Sequence, residues 1–238
     1  MTYINSTHDS IDLGGFTVGQ WKEKRRKLIS DLNYNSEWEE VVDWYIKRLK
    51  IRYFDPMRRI EKNNIGEGFS LVTVHCVLIE HFASITQGKI FNHNKNKKSP
   101  KYEYSLCSKH FQEFLKSSSL FSEYFNTSTI TKPEFDTKDF YSNVRCALLH
   151  EACTKNNWRI NTLSCGYYNP NSKLLIKEDD GIKRLYRDVL TVKLSEFLVN
   201  YNEDLKKDEK LRLYFARKMD HLCEIEPDKQ RYIWWRKI

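Results

Sequence analysis

The apolar positions of this chain recur mostly every three or four residues, the spacing of helices that bury one face. Between residues 36 and 53, Trp38, Val41, Val42, Tyr45, Leu49 and Tyr53 keep that period behind Ser36 and Glu39, a pair spaced to form a capping box. Pro56 is expected to end or kink this helix, with a further turn reaching Asn63, because its ring removes a donor and crowds the preceding turn. Ahead of it, residues 21–32 read as a short basic helix. Residues 1–19, with Gly14, Gly15, Gly19 and few apolar anchors, read as a loosely packed arm. After Gly66 and Gly68, residues 69–86 are apolar almost all round and stop at Gly88, which predicts a central buried helix. Further helices are expected at about 104–116, 119–125, 136–154 and 182–205, and a last one capped by Asp208 and running to Leu222. Two stretches break the helical period. Residues 92–101, N-H-N-K-N-K-K-S-P-K, read as a flexible loop, and 156–178 as a β-hairpin with strands at 158–162 and 173–177. The expected architecture is one mainly α domain, a helical bundle with a small β-hairpin insertion.

The helix at 136–154 carries the strongest pattern. Asp136 and Thr137 can cap its start, Asp139 sets a negative charge in its first turn, and Phe140, Tyr141, Val144, Ala147, Leu148 and Ala152 share one arc. Arg145 and His150 flank that arc, roughly 140° apart on an ideal helix. The opposite face, Ser142, Cys146, Leu149 and Cys153, is uncharged, so this helix is expected to be covered on both sides by another helix or a second copy of the chain. A two-fold axis beside it would bring two Arg145 and two His150 into one cleft. Within the apolar helix at 69–86, Glu80 needs a partner. Two readings fit: a structural ion pair or hydrogen bond, or a carboxylate that orients Arg145 or His150.

Composition adds charge to this picture. The chain has 238 residues, 40% apolar and 14% aromatic, enough to bury a core, and its net charge of +8 favours polyanionic partners. The runs that could meet phosphates are 22–27, with Arg25 and Arg26, and the 92–101 loop, with Lys95, Lys97 and Lys98; solvated faces would show the same pattern. The tail Y-I-W-W-R-K-I suits base stacking beside phosphate contacts, or docking onto the chain's own core. With no apolar run expected to reach the roughly 18 residues needed to span a bilayer and no apolar leader, the chain is expected to be cytoplasmic and not to enter a membrane. The six cysteines, at 76, 107, 146, 153, 165 and 223, form no Cys-x-x-Cys pair and are expected as reduced thiols, with neither metal nor cofactor. Cys146, His150 and Cys153 do share a helix face, but one helix rarely supplies three ligands of a zinc site.

The segment F-Y-S-N-V-R-C-A-L-L-H-E-A at 140–152, with its Arg, four residues, His spacing, and L-I-E-H-F at 78–82 together resemble the HEPN superfamily of helical ribonucleases and RNA-binding modules. The position after the Arg, usually Asn, Asp or His in that family, is Cys146. The resemblance implies a HEPN-like bundle, a homodimer, RNA as partner, and metal-independent cleavage in which a ribose 2′-OH attacks the adjacent phosphate, leaving a 2′,3′-cyclic phosphate and a 5′-OH. His150 would transfer the proton and Arg145 would hydrogen-bond the phosphate oxygens as their charge builds. Asn143, Glu80 and Cys146 would support them, Asn143 by touching RNA or fixing the imidazole tautomer. The expected function is a HEPN-type endoribonuclease acting as a toxin or anti-phage effector, with an antitoxin or other regulatory partner. The alternative is a non-catalytic HEPN-like module that binds RNA or a protein.

Overall fold

The computed structural model describes residues 8–61, 66–126, 135–163 and 174–236. In chain order the elements are α1 (Val18–Leu28), α2 (Ser36–Leu49), a π-helical turn (Lys50–Phe54), α3 (Asp55–Glu61), α4 (Gly68–Ile85), β1 (Ile90–Phe91), β2 (Glu103–Tyr104), α5 (Cys107–Ser117) and α6 (Ser122–Phe125). There follow α7 (Thr137–Phe140), a second π turn (Tyr141–Cys146), α8 (Ala147–Glu151), β3 (Trp158–Asn161), β4 (Ile176–Asp179), β5 (Ile182–Tyr186), α9 (Arg187–Lys207), α10 (Glu209–Leu222) and a 3-10 turn (Ile233–Trp235). The chain is mainly helical, as its periodicity predicts. It groups into two compact units, one of residues 1–56, 84–105 and 198–238, the other of 57–83 and 106–197.

In the first unit the arm expected to be loose is folded from residue 8 onward. Asp12 Oδ1 accepts the backbone N–H of Gly14 and Gly15, which sit at positive φ, and Phe16 and Val18 are buried. Thr17 and Gln20 form a reciprocal capping box, so α1 starts three residues before the expected position. At α2 the cap is Asn35, not Ser36: its extended backbone lets Oδ1 accept from the N–H of both Glu37 and Trp38. Pro56 does not end the helical run. The turn before it widens to π geometry, which relieves the clash a proline makes with the preceding turn, and the run continues to Glu61; Asn63 lies outside the described residues. Residues 92–101, expected as a flexible loop, are a pinned series of turns. The strands β1 and β2 pair in parallel across them, Asn92 Nδ2 donates to Glu103 Oε2 at 2.7 Å, and the Lys95 ammonium donates to the Glu103 carbonyl.

The second unit holds the buried length of α4, the 137–151 helical run and a three-stranded sheet ordered β3-β5-β4. The expected hairpin is corrected here. The strands β3 and β4 do not pair; β5 lies between them, parallel to β3 and antiparallel to β4. The hairpin is therefore β4–β5, turning at Asp180 and Gly181, and residues 182–186, expected as the start of a helix, are its second strand. Helix α4 has the length expected of it but corrects the expectation that no apolar run reaches about 18 residues: its 18 residues and mean hydropathy of 1.5 would permit a membrane crossing, but 56% of it is buried inside the fold, as a core helix is.

Candidate active site

The 137–151 run starts where the sequence predicts: the Asp136 carboxylate accepts the Lys138 N–H. Phe140, Val144, Ala147 and Leu148 point into the core, whereas Ala152 is exposed because the helix stops there, Ala152 adopting a left-handed φ of 52°. Between these ends the helix widens, with the Ala147 N–H bonded to the Ser142 carbonyl five residues back. Arg145 sits in that wider turn.

From there the Arg145 Nη2 donates to Glu80 Oε2 on α4 at 2.8 Å, with the two side chains 18% and 19% exposed. Neutral groups surround the pair. The guanidinium lies 5.3 Å from the centre of the Tyr141 ring and its Nη1 is 4.0 Å from the Cys146 sulfur. The Cys107 thiol bonds the Glu80 carboxylate, and burial first, then that bond, push it to about 12; burial likewise holds the Cys76 thiol at about 12. Both stay protonated near neutral pH, so they cannot act there as thiolate nucleophiles. Burial is the largest single influence on Arg145 and opposes its charge, but the bond to Glu80, the Glu80 charge and the neighbouring Tyr141 and Cys146 together outweigh it, and the guanidinium pKa is raised. The result is a fixed cation at the edge of the helix, with part of its fork open to solvent.

His150 lies on the exposed side of α8, in its last turn, next to the exposed Leu149 and Glu151. The outer face of this helix, expected to be covered, is bare at Ser142 and Leu149 and half-buried at Cys146 and Cys153. Asn143 is not directed to His150. Its amide donates to Asp139 Oδ1 at 2.7 Å, and its carbonyl accepts the Lys155 N–H at 2.9 Å. Asp139 is a hub that the sequence reading missed: it also accepts Asn156 Nδ2 at 2.7 Å, the Trp158 indole at 3.0 Å and the Lys183 ammonium at 2.6 Å, tying the helix to β3 and β5. The signal available was the i, i+4 spacing of Asp139 and Asn143.

Of the residues expected to bind RNA, Arg25 is buried instead. Its Nη2 donates to Asp220 Oδ2 at 2.7 Å, and its guanidinium lies 3.7 Å from the centre of the Tyr232 ring. Lys95 is held by the backbone carbonyls of Pro100 and Glu103, while Arg26, Lys97 and Lys98 are exposed. Among the described residues no three His, Cys, Asp or Glu side chains are gathered as metal ligands, Cys146, His150 and Cys153 included; Cys165 lies outside the described residues. Comparison of the chain with family models, curated proteins and solved structures finds no match.

Proposed function

We propose that this chain is a HEPN-like, metal-independent endoribonuclease that works as a cytoplasmic homodimer of the toxin or anti-phage effector type, with an antitoxin or similar partner controlling it. The observation that carries the reading is the Arg145–Glu80 pair: a guanidinium fixed in a π turn, a device found often at functional sites, with an exposed histidine in the helical turn that follows. His150 takes the proton from the ribose 2′-OH as that oxygen attacks the adjacent phosphate, the bond from phosphorus to the 5′-oxygen breaks, and the imidazolium returns the proton to the leaving 5′-oxygen, giving the 5′-OH. The open nitrogens of Arg145 donate to the phosphate oxygens while negative charge grows on them, and Glu80 keeps the fork from swinging away. The bare outer face with Leu149 is the surface on which a second copy would sit, bringing a second Arg and His to the same cleft.

One observation favours the alternative, a non-catalytic module that binds RNA or a protein through this face: the Arg145 charge is already matched by Glu80 and flanked by Tyr141 and Cys146. The two readings part in one experiment. Cellular RNA is incubated in EDTA with the wild type, Arg145→Ala and His150→Ala, and the product ends are resolved while light scattering reads the oligomer. The ribonuclease reading requires cleavage by the wild type alone, with 2′,3′-cyclic phosphate ends and a dimer. RNA retained uncut by all three proteins supports the module, and cleavage unchanged in His150→Ala removes His150 from the mechanism.

A further inference from the structure

The first unit contains a cleft of about 780 Å³, within the range of small-molecule sites, whose charged wall is entirely cationic. Lys89, Lys101, Arg217, Lys229 and Arg236 line it; among the described residues no Asp or Glu does. The turns that end the 92–101 segment and the C-terminal tail meet here, two stretches whose lysines and aromatics are far apart in sequence. The Lys89 ammonium donates to the Lys101 carbonyl at 2.7 Å, joining two sides of the rim.

Arg217 makes the cleft more than a basic surface. It is 3% exposed, yet no carboxylate pairs with it among the described residues. Its fork donates only to carbonyls, Nε to Trp234 at 2.6 Å, Nη1 to Gly88 at 3.1 Å and Nη2 to Arg236 at 3.3 Å, and it lies between the rings of Tyr102 and Tyr214, at 4.8 and 5.7 Å from their centres. Carbonyl dipoles and ring faces stabilise a buried cation without cancelling its charge. The field at the base of the cleft therefore remains positive, and the exposed ammonium groups of Lys101 and Lys229 add to it at the rim.

Beside Gln87, Ser99 and Pro100, the uncharged wall carries three aromatic residues, Tyr102, Tyr214 and Trp235. Trp235 is fixed by its indole N–H, which donates to the buried Asp220 at 2.7 Å, and its ring meets that of Tyr102 at 5.5 Å and 66°. Gly88 makes room for Tyr214. At φ +57° it has no Cβ, and one added there would lie 2.6 Å from Tyr214 Cδ1. A fixed aromatic wall beside uncancelled positive charge selects a ligand with a flat ring and a phosphate.

We propose that this cleft binds a nucleoside phosphate, its base packed against Tyr102 and Tyr214, which the buried Trp235 backs, and its phosphates held by Lys101, Lys229 and Arg236 over the buried charge of Arg217. The ligand can be a free nucleotide or one unit of a single-stranded RNA, which present the same chemistry. The site is independent of Arg145 and His150, and His150→Ala keeps it intact.

The test is calorimetric titration of the full chain, in EDTA, with ATP, adenosine, inorganic triphosphate and a ten-residue oligouridylate. ATP or the oligouridylate is expected to bind, adenosine and triphosphate about tenfold or more weakly, and added KCl to weaken the binding. The combined variant Lys101→Glu, Lys229→Glu, both exposed positions, is expected to raise the Kd about tenfold or more with an unchanged melting temperature. Binding of ATP alone identifies a free-nucleotide site; binding of the oligouridylate alone, sensitive to the same variant, identifies an RNA strand. No binding of either, binding indifferent to the variant, or triphosphate as tight as ATP overturns the proposal.

Discussion

Replacing His75 with Gln should remove about 2 kcal/mol of the stability that the protein loses between about pH 7 and about pH 5. His75 lies in α4 and is fully buried. Its Nε2 is 2.9 Å from Thr191 Oγ1, and the Thr191 hydroxyl already donates to the Arg187 carbonyl at 3.1 Å, so the hydroxyl oxygen accepts from Nε2–H. The other ring nitrogen, Nδ1, has no hydrogen-bond partner among the described residues. A proton added there would create a buried cation with no acceptor, facing the charge of Arg187, which is itself paired with Glu67 at 2.5 Å. Burial first, then Arg187, hold the His75 pKa down to about 3, against 6.5 for an exposed imidazole. Because the folded pKa is the lower one, the unfolded chain takes up the proton first as pH falls. Stability is then present above about 6.5 and is lost toward 3, at up to about 1.4 kcal/mol per pH unit. Between about pH 7 and about pH 5 the loss is about 2 kcal/mol, in a window where most carboxylates remain ionised. Gln can donate an amide N–H to Thr191 but does not titrate. Urea denaturation near pH 7 and near pH 5, followed by circular dichroism, should show a wild-type loss about 2 kcal/mol larger than that of His75→Gln. His221, whose pKa burial also lowers, contributes equally to both proteins and cancels in the difference. Equal losses in the two proteins would refute the reasoning.

Two further perturbations test the polar hubs. Asp220 is fully buried and accepts from the indoles of Trp21 at 2.8 Å, Trp234 at 2.8 Å and Trp235 at 2.7 Å, and from Arg25 at 2.7 Å. Asp220→Ala leaves one cation and three indole donors without an acceptor and should cost roughly 3–5 kcal/mol, read as a lower melting temperature with red-shifted tryptophan emission as the tail detaches; a melting curve like the wild type's would contradict the hub. Asp139→Ala, at a side chain 18% exposed with four donors, should cost about 2 kcal/mol and speed amide exchange across residues 137–151, whereas unchanged exchange there would mean that the core contacts alone hold the helix.

What the sequence made legible was local. Asp136 and Asp208 cap the helices they precede, and Gly88 stops α4 at φ 57°, because a cap depends on residues a few positions away. The sheet was not legible in the same way. Residues 182–186, I-K-R-L-Y, run on into a helical pattern, and only pairing with β3 and β4 makes them a strand. That β5 enters between β3 and β4 is decided by contacts about 25 residues apart, on which a hairpin signal is silent.

Charges inside apolar arcs were the informative feature that composition obscured. Arg25 belongs to the run K-E-K-R-R-K and so read as part of a basic surface, yet it stands four residues after Trp21 and three before Leu28, both buried. Helical phase therefore places it inside, where an unpaired guanidinium is costly and a carboxylate partner is required. The partner, Asp220, is 195 residues away, which is why the need was readable and the identity was not. Glu80 obeys the same rule from the acidic side: its place on an apolar helix called for a cation, and packing chose Arg145, 65 residues on. Arg217 meets the first half of the rule and not the second, since it is buried on α10 without any carboxylate among the described residues. Where Arg25 and Glu80 are satisfied within their own units, Arg217 keeps an uncancelled charge at the base of a cleft, and it is that missing carboxylate on which the proposed phosphate site rests.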